Sequence, residues 1–186
     1  MRFHGAADVP LNDTGRAQVR RLVPVVAGEC FAAVVHSPLS RARESAEILM
    51  AELKEQPAVV EVEAGLREIH FGRIEGMTRE EIQAAYPEWY EEWVEDRIDR
   101  FPGGGDSIAG FWQRAGDALK EAVARHPVGD LLVVAHQGTI KAGIGRLCQI
   151  DRVELRTWSM DLGSLWVLTQ AAGSNRWSVD RRNVVG

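Results

Sequence analysis

Two apolar runs constrain the fold of this chain more than any other feature. Phe31 to Val35 and Leu131 to Val134 each lead to a histidine, His36 and His136, and each passes within a few residues into a helical pattern. Unbroken apolar runs of this length suit strands covered on both faces of a parallel sheet, since a strand with one wet face would alternate. After the second run, Gln137 and Gly138 leave little room for a loop, so Thr139 to Leu147 reads as a helix starting at the sheet edge. Backbone N–H groups in the first turn of such a helix lack partners, and anions bind there.

The same alternation extends along the chain. Helical patterns run from Asn12 to about Ala27, closed by Gly28, and from Ser40 as a cap through "RARESAEILMAEL". The second of these places Ala42, Ala46, Leu49 and Met50 on one face. Ala58 to Val62 reads as another strand, and Thr78 with Glu81 forms a capping box at the start of "REEIQAAY". Ser107 opens a long helix to about Arg125, and Leu165–Leu168 with Trp177–Val179 reads as a closing pair of strands. Strands alternating with helices indicate an α/β architecture with a largely parallel sheet. One irregularity stands at the start. Only eleven residues, containing the turn-like "GAADVPL", precede the first helix, where a βαβ chain would place a strand.

At 186 residues, with 45% apolar and 26% charged residues, the chain reads as one domain, 1–186, with a single substantial core. A net charge of −5 offers no basic stripe to a phosphate backbone, which argues against a nucleic-acid partner. Cys30 and Cys148 lie far apart in no metal-type spacing and read as free thiols of a reducing compartment. No segment reaches the ~18 apolar residues of a membrane helix. No secretory leader opens the chain, so a cytoplasmic location without a membrane partner is expected.

Three residues stand where ligands of open α/β sheets gather, just after strands. Arg41 falls in the first turn of a helix in "HSPLSRARESAEI", beside free N–H groups, as a phosphate site requires; the competing reading is a solvated surface arginine. Glu68 lies among Leu66, Ile69 and Phe71, and a carboxyl in apolar company holds its proton longer, which suits a general acid. A salt-bridge or loop role is the competing reading. Glu75, next to Gly76, reads as a turn residue, and Arg43 as a surface residue. His136 taken alone reads as a satisfied structural histidine, and three such positions together favour a site. A metal site is disfavoured, because no two of the five histidines share a helical ligand spacing and no HExxH occurs. The chain has no G-x-S-x-G elbow, P-loop or dinucleotide fingerprint.

"DVPLNDTGRAQ", "SPLSRARESAEI", "LREIHFGRIEG", "FPGGGDS" and "VVAHQGTIK", in this order, resemble the histidine phosphatase superfamily. The resemblance covers essentially the whole chain. It implies the phosphoglycerate-mutase-like fold, three α/β/α layers around a mostly parallel sheet, without cofactor or metal. It also implies that Arg41 clamps phosphate, that Glu68 is the proton donor and that His136 is the second histidine of the pocket. Gln137 stands in the phosphate-binding turn, and His36 and Ser37 stand at the pocket edge.

The chain departs from the family at its start. The family's first strand ends in Arg-His-Gly, whose histidine is the nucleophile, and a loop then leads to a segment like "GRFxGxxDxPLNxxG". Here Arg2-Phe3-His4-Gly5 matches that later segment, so the resemblance implies that His4 is not the nucleophile, and the first strand is expected to be missing from the chain. In the resembled fold that strand is expected between those ending at His36 and His136. Its loss is expected to close the two edges, to invite a strand from a second chain in a homodimer, or to leave the product marginally folded.

The function implied is hydrolysis of a small phosphomonoester through a phosphohistidine. The short stretch between Glu68 and His136 favours a phosphatase over a phosphoglycerate mutase. The partner implied is a small phosphorylated metabolite. A non-catalytic phosphate-binding remnant is the alternative. Trp89, Tyr90 and Trp93 belong to a Trp-rich helical lid at about 77–106, either shaping a bulky-substrate pocket or packing within that segment.

Overall fold

Local capping chemistry sets most helix starts in the computed structural model, which describes residues 2–95 and 97–186. Met1 lies outside the described residues, as does Asp96 of the 77–106 segment. The Asn12 side chain accepts the Gly15 N–H at 2.8 Å and starts α1 (Asp13–Val26). Thr78 and Glu81 form the reciprocal capping box that starts α3 (Arg79–Ala85). Pro87 then opens α4 (Pro87–Val94), which the sequence pattern does not separate from α3. Ser107 caps α5 (Ile108–Arg125), and α6 (Gln137–Cys148) is followed by the short α7 (Arg152–Thr157).

The helix α2 (Ser40–Met50) corrects the expected cap. Leu39 is its N-cap residue and Ser40 is already helical; the Ser40 N–H donates instead to Asp8 Oδ1 at 2.7 Å. A carboxylate at a helix N-terminus also meets the positive end of the macrodipole, which a hydroxyl does only weakly.

Three strands, β1 (Phe31–His36), β2 (Val59–Val62) and β3 (Asp130–Val134), make a parallel sheet in the order β2-β1-β3. Two more, β4 (Leu165–Gln170) and β5 (Trp177–Val184), form a separate antiparallel pair. β1 and β3 are direct neighbours, with Val34 opposite Leu132 and His36 opposite Val134. β1 therefore has partners along both edges, and the sheet shows no gap between the strands ending at His36 and His136, where one was expected. The break in the hydrogen-bonded ladder falls between β3 and β4. Among the described residues no strand pairs with the outer edge of β3.

Both sheets lie between the same helical layers. On one face Val34 and Leu132 join Val19, Leu22 and Val26 of α1 and Ala46 and Leu49 of α2, with Val134 and Leu165 packed alongside. On the other, Val35 meets Ala118, Leu119 and Ala122 of α5, next to Leu131 and Val133. Trp166 and Leu168 of β4 pack on that second side against Ile144 of α6. Period-2 alternation explains the division, since successive strand residues face opposite layers.

The aromatic residues of 77–106 pack inward. Trp89 stacks on Trp93 at 5.4 Å, Trp93 meets Phe3 edge-on at 5.3 Å, and Trp89 reaches Phe101 at 5.6 Å. With Ile82, Ile98 and Phe111 they form a second hydrophobic cluster, which fits the packing alternative for these rings. No helix among the described residues is long and apolar enough to cross a membrane.

Candidate active site

β1 and β3 run parallel, so both deliver their last residues to one edge of the sheet, and the candidate residues gather there. The Ser37 N–H donates to the Val134 carbonyl at 3.0 Å, continuing the ladder to its end. His136 and Ser37 are buried, and His136 Nε2 lies 2.7 Å from Ser37 Oγ. Ser37 Oγ accepts the Leu39 N–H at 3.3 Å, which leaves its own proton to donate to an unprotonated Nε2. Burial first, and then the positive charge of Arg41, push the His136 pKa down to about 3. The imidazole is therefore neutral at physiological pH.

Glu68 closes the other side of the α6 start. Its Oε2 accepts the Gly138 N–H at 3.0 Å and its Oε1 the Ile69 N–H at 3.0 Å. Any side chain at 138 would collide with this carboxyl, because a Cβ there falls 2.6 Å from Oε1. Burial pushes the Glu68 pKa up, against the two N–H donors and the charges of Arg41 and Arg114. Such a carboxyl retains a proton to higher pH than an exposed one.

Arg41, in the first turn of α2, is partly buried and donates from Nη1 to the Ala7 carbonyl at 2.8 Å and from Nη2 to the Gly5 carbonyl at 2.6 Å. Burial lowers its pKa, while Glu68, Asp8 and Glu75 hold it up. Its charge is felt by both Glu68 and His136. The structure thus brings Arg41, Glu68 and His136 into one electrostatic cluster, with Ser37 in contact. Arg43 lies outside it, exposed and 3.8 Å from Glu47.

Gln137 and His36 also sit at this edge. Gln137 Nε2 donates to the Met160 carbonyl at 2.9 Å. His36 Nδ1 lies 2.9 Å from the carbonyl oxygen of Ser37, in line with a turn histidine satisfied by backbone. His4 is exposed on the N-terminal loop. Among the described residues no group of three or more His, Cys, Asp or Glu side chains is disposed to hold a metal ion.

Two residues at the site escape sequence reasoning. Arg114 of α5 donates from Nη1 to the carbonyls of Gly65 at 2.7 Å and Arg67 at 2.9 Å, bracing the segment that carries Glu68. Glu75, taken from its neighbour Gly76 as a turn residue, accepts two backbone N–H groups from different segments. Neither role has a local signature, because the partners are main-chain groups remote in sequence or shape-dependent.

The cluster offers one cation, one neutral imidazole and one carboxyl inclined to keep its proton. Such a set suits an anionic oxygen cluster and a proton-accepting leaving group. The family model of the histidine phosphatase superfamily (branch 1) matches residues 1–184. Phosphoserine phosphatase 1 of Hydrogenobacter thermophilus is 27% identical over 188 residues, covering 99% of this chain and 82% of that protein. Phosphoglycerate mutase-like protein 4 of Arabidopsis thaliana is 32% identical over 143 residues, 76% of this chain, which spans 61% of the plant protein. Among solved structures, a mycobacterial glucosyl-3-phosphoglycerate phosphatase superposes with a TM-score of 0.82 at 29% identity, covering 98% of this chain and 90% of that one.

Proposed function

The chain belongs to the histidine phosphatase superfamily (branch 1), and from that premise we propose that it forms the phosphate-holding part of a small-molecule phosphatase. The observation that carries this reading is the convergence of Arg41, Glu68 and His136 on one end of the parallel sheet, with the Arg41 charge acting on the other two. The substrate is a small phosphorylated metabolite. Relatives that act on phosphoserine and on glucosyl-3-phosphoglycerate, by their names, support that class.

In this reading a histidine nitrogen attacks phosphorus in line and the ester P–O bond breaks. Glu68 gives its proton to the departing oxygen, and Arg41 and His136 hold the equatorial oxygens. Water then attacks the phosphohistidine, Glu68 takes back a proton, and the N–P bond breaks to release phosphate. Positioning and charge dominate such transfers.

The attacking histidine is assigned to none of the described residues. His136 is the second histidine, His36 is satisfied by backbone, and His4 is exposed on a loop. A strand laid along the open edge of β3, parallel to it, would end beside His136. A histidine at the end of that strand would complete the site. The same open edge favours a second reading, a phosphate-binding remnant without turnover.

The test separates the two. The 186-residue chain should hydrolyse p-nitrophenyl phosphate only at background rate, since loss of a covalent nucleophile leaves binding-type catalysis alone. Vanadate-sensitive turnover that disappears in His4→Ala would refute the assignment of the nucleophile. Translation of the DNA upstream of Met1 decides next: an in-frame strand ending in Arg-His-Gly supports the enzyme, and an immediate stop codon supports the remnant.

A further inference from the structure

The Arg41 guanidinium is aimed by two carbonyls rather than paired with an acid. Its terminal nitrogens donate to Gly5 and Ala7, at opposite ends of a three-residue loop. Neutral acceptors fix the direction of a guanidinium while leaving its charge uncancelled. The aim of Arg41 is therefore only as good as the shape of residues 5–7.

That shape is held from a different part of the chain. Between the two acceptor residues, the Ala6 N–H donates to Glu75 Oε1 at 3.0 Å. The same oxygen accepts the Phe71 N–H at 3.1 Å, in the segment that follows Glu68. Gly5 has a φ of +48°, and a Cβ there would fall 2.5 Å from the Ile69 carbonyl and 2.7 Å from Glu75 Oε1. The loop thus lies directly against segment 69–75; backbone bonds of Phe3 to Gly76 and Met77 hold its base, the Ala7 N–H closes it on the His4 carbonyl, and one Glu75 carboxylate oxygen ties its middle to Phe71.

We propose that Glu75 is a positioning residue: by joining the Ala6 and Phe71 N–H groups it shapes loop 5–7, whose carbonyls direct Arg41 toward bound phosphate. The inference rests on the reading that Arg41 holds phosphate. A purely structural Glu75 would support the fold without regard to Arg41. The two roles differ in a double-mutant cycle, because coupling through Arg41 disappears when Arg41 is gone.

The experiment measures inorganic phosphate affinity of the full 186-residue chain at pH 7 by calorimetry, with urea unfolding of each variant alongside. Glu75→Ala should weaken phosphate by roughly tenfold, as expected when a charge-assisted contact is misdirected. Glu75→Gln should stay within about threefold of the parent, because one amide oxygen can accept both N–H groups. In the Arg41→Gln background, Glu75→Ala should cost nothing further. Parent-like binding by Glu75→Ala overturns the proposal, as does an equal loss with and without Arg41. A Glu75→Gln variant as weak as Glu75→Ala also overturns it, since charge and not hydrogen bonding would then be at work. If Arg41→Gln itself binds phosphate normally, the reading of the site fails and takes this inference with it. Should Glu75→Ala lose its cooperative unfolding, Glu75→Asp, which withdraws the carboxylate by one methylene, replaces it with the same expectations.

Discussion

Protonating His136 should destabilise this protein by a measurable and isolable amount. The imidazole is 8% exposed, bonded to Ser37, and shifted from an ordinary 6.5 to about 3. A depressed base is protonated in the unfolded chain at a pH where the folded protein keeps it neutral. Its contribution to stability is therefore complete above pH 6.5 and drains as pH falls toward 3. The full gap corresponds to roughly 5 kcal/mol, and the part lost between pH 7 and pH 5 to about 2 kcal/mol. Glu68 acts in the opposite sense: its raised pKa makes its contribution greatest in acid and lost as pH rises through the folded value. A raw stability profile would mix the two. The assay is urea unfolding of the parent and His136→Gln from pH 7.5 to 4.5, read as the difference between the two curves. The variant loses the Ser37 bond at every pH, which gives a constant offset. The difference should shrink by about 2 kcal/mol between pH 7 and 5. Parallel curves would refute the neutral, buried imidazole and the role built on it.

The open edge of β3 should appear in amide exchange. Val134 directs its backbone groups at β1, and strand geometry alternates, so Leu132 and Val134 should be protected while Leu131 and Val133 exchange fast; uniform protection along the strand would mean that the outer edge is covered. Sulfate, a dianion across the range, should bind more tightly as pH falls from 7 to 5, because an anion beside His136 raises its pKa and draws in a proton; pH-independent binding would place the anion away from that ring.

Elements whose cause is local were legible in the sequence. The strand-to-helix joints at His36 and His136, the Asn12 and Ser107 caps and the Thr78–Glu81 box all rest on residues within a few positions of one another. Lateral neighbours in a sheet are a tertiary outcome, which is why the direct pairing of β1 with β3 was not legible in the sequence. Val34 and Leu132 reveal their pairing only when both layers of helix are in place. Ser40 illustrates the same limit at smaller scale. Its sequence suits a cap, yet Asp8, 32 residues away, takes the N–H that the cap would serve. That Arg41 and Glu68 come together was legible from residue type and position after strands, whereas Arg114 bonds the distant carbonyls of Gly65 and Arg67 and Glu75 the distant Ala6 N–H.

Charge accounting at the site connects its acid–base state to its ligand. Arg41, Glu68 and His136 carry at neutral pH one full positive charge when Glu68 holds its proton, because His136 is neutral. A phosphate dianion entering this space faces one unit of positive charge against its two. The imbalance is costly in a buried setting, and the cheapest correction is a proton on His136, whose depressed pKa comes from burial and from Arg41. The anion reverses the second cause by shielding Arg41, and it adds an attraction of its own. His136 would then become a second cation only when phosphate is present, so the empty site does not hold two adjacent cations. Where Ser37 donates to an unprotonated Nε2, its hydroxyl proton must turn away once that nitrogen gains a proton, and the hydroxyl oxygen can then accept from it. Ser37→Ala should therefore leave a buried ring without its partner in both states. It should weaken sulfate binding and lower stability by about 1 kcal/mol, the usual net worth of such a bond. An unchanged sulfate affinity and unfolding midpoint in Ser37→Ala would show that the ring is oriented by something other than this hydroxyl.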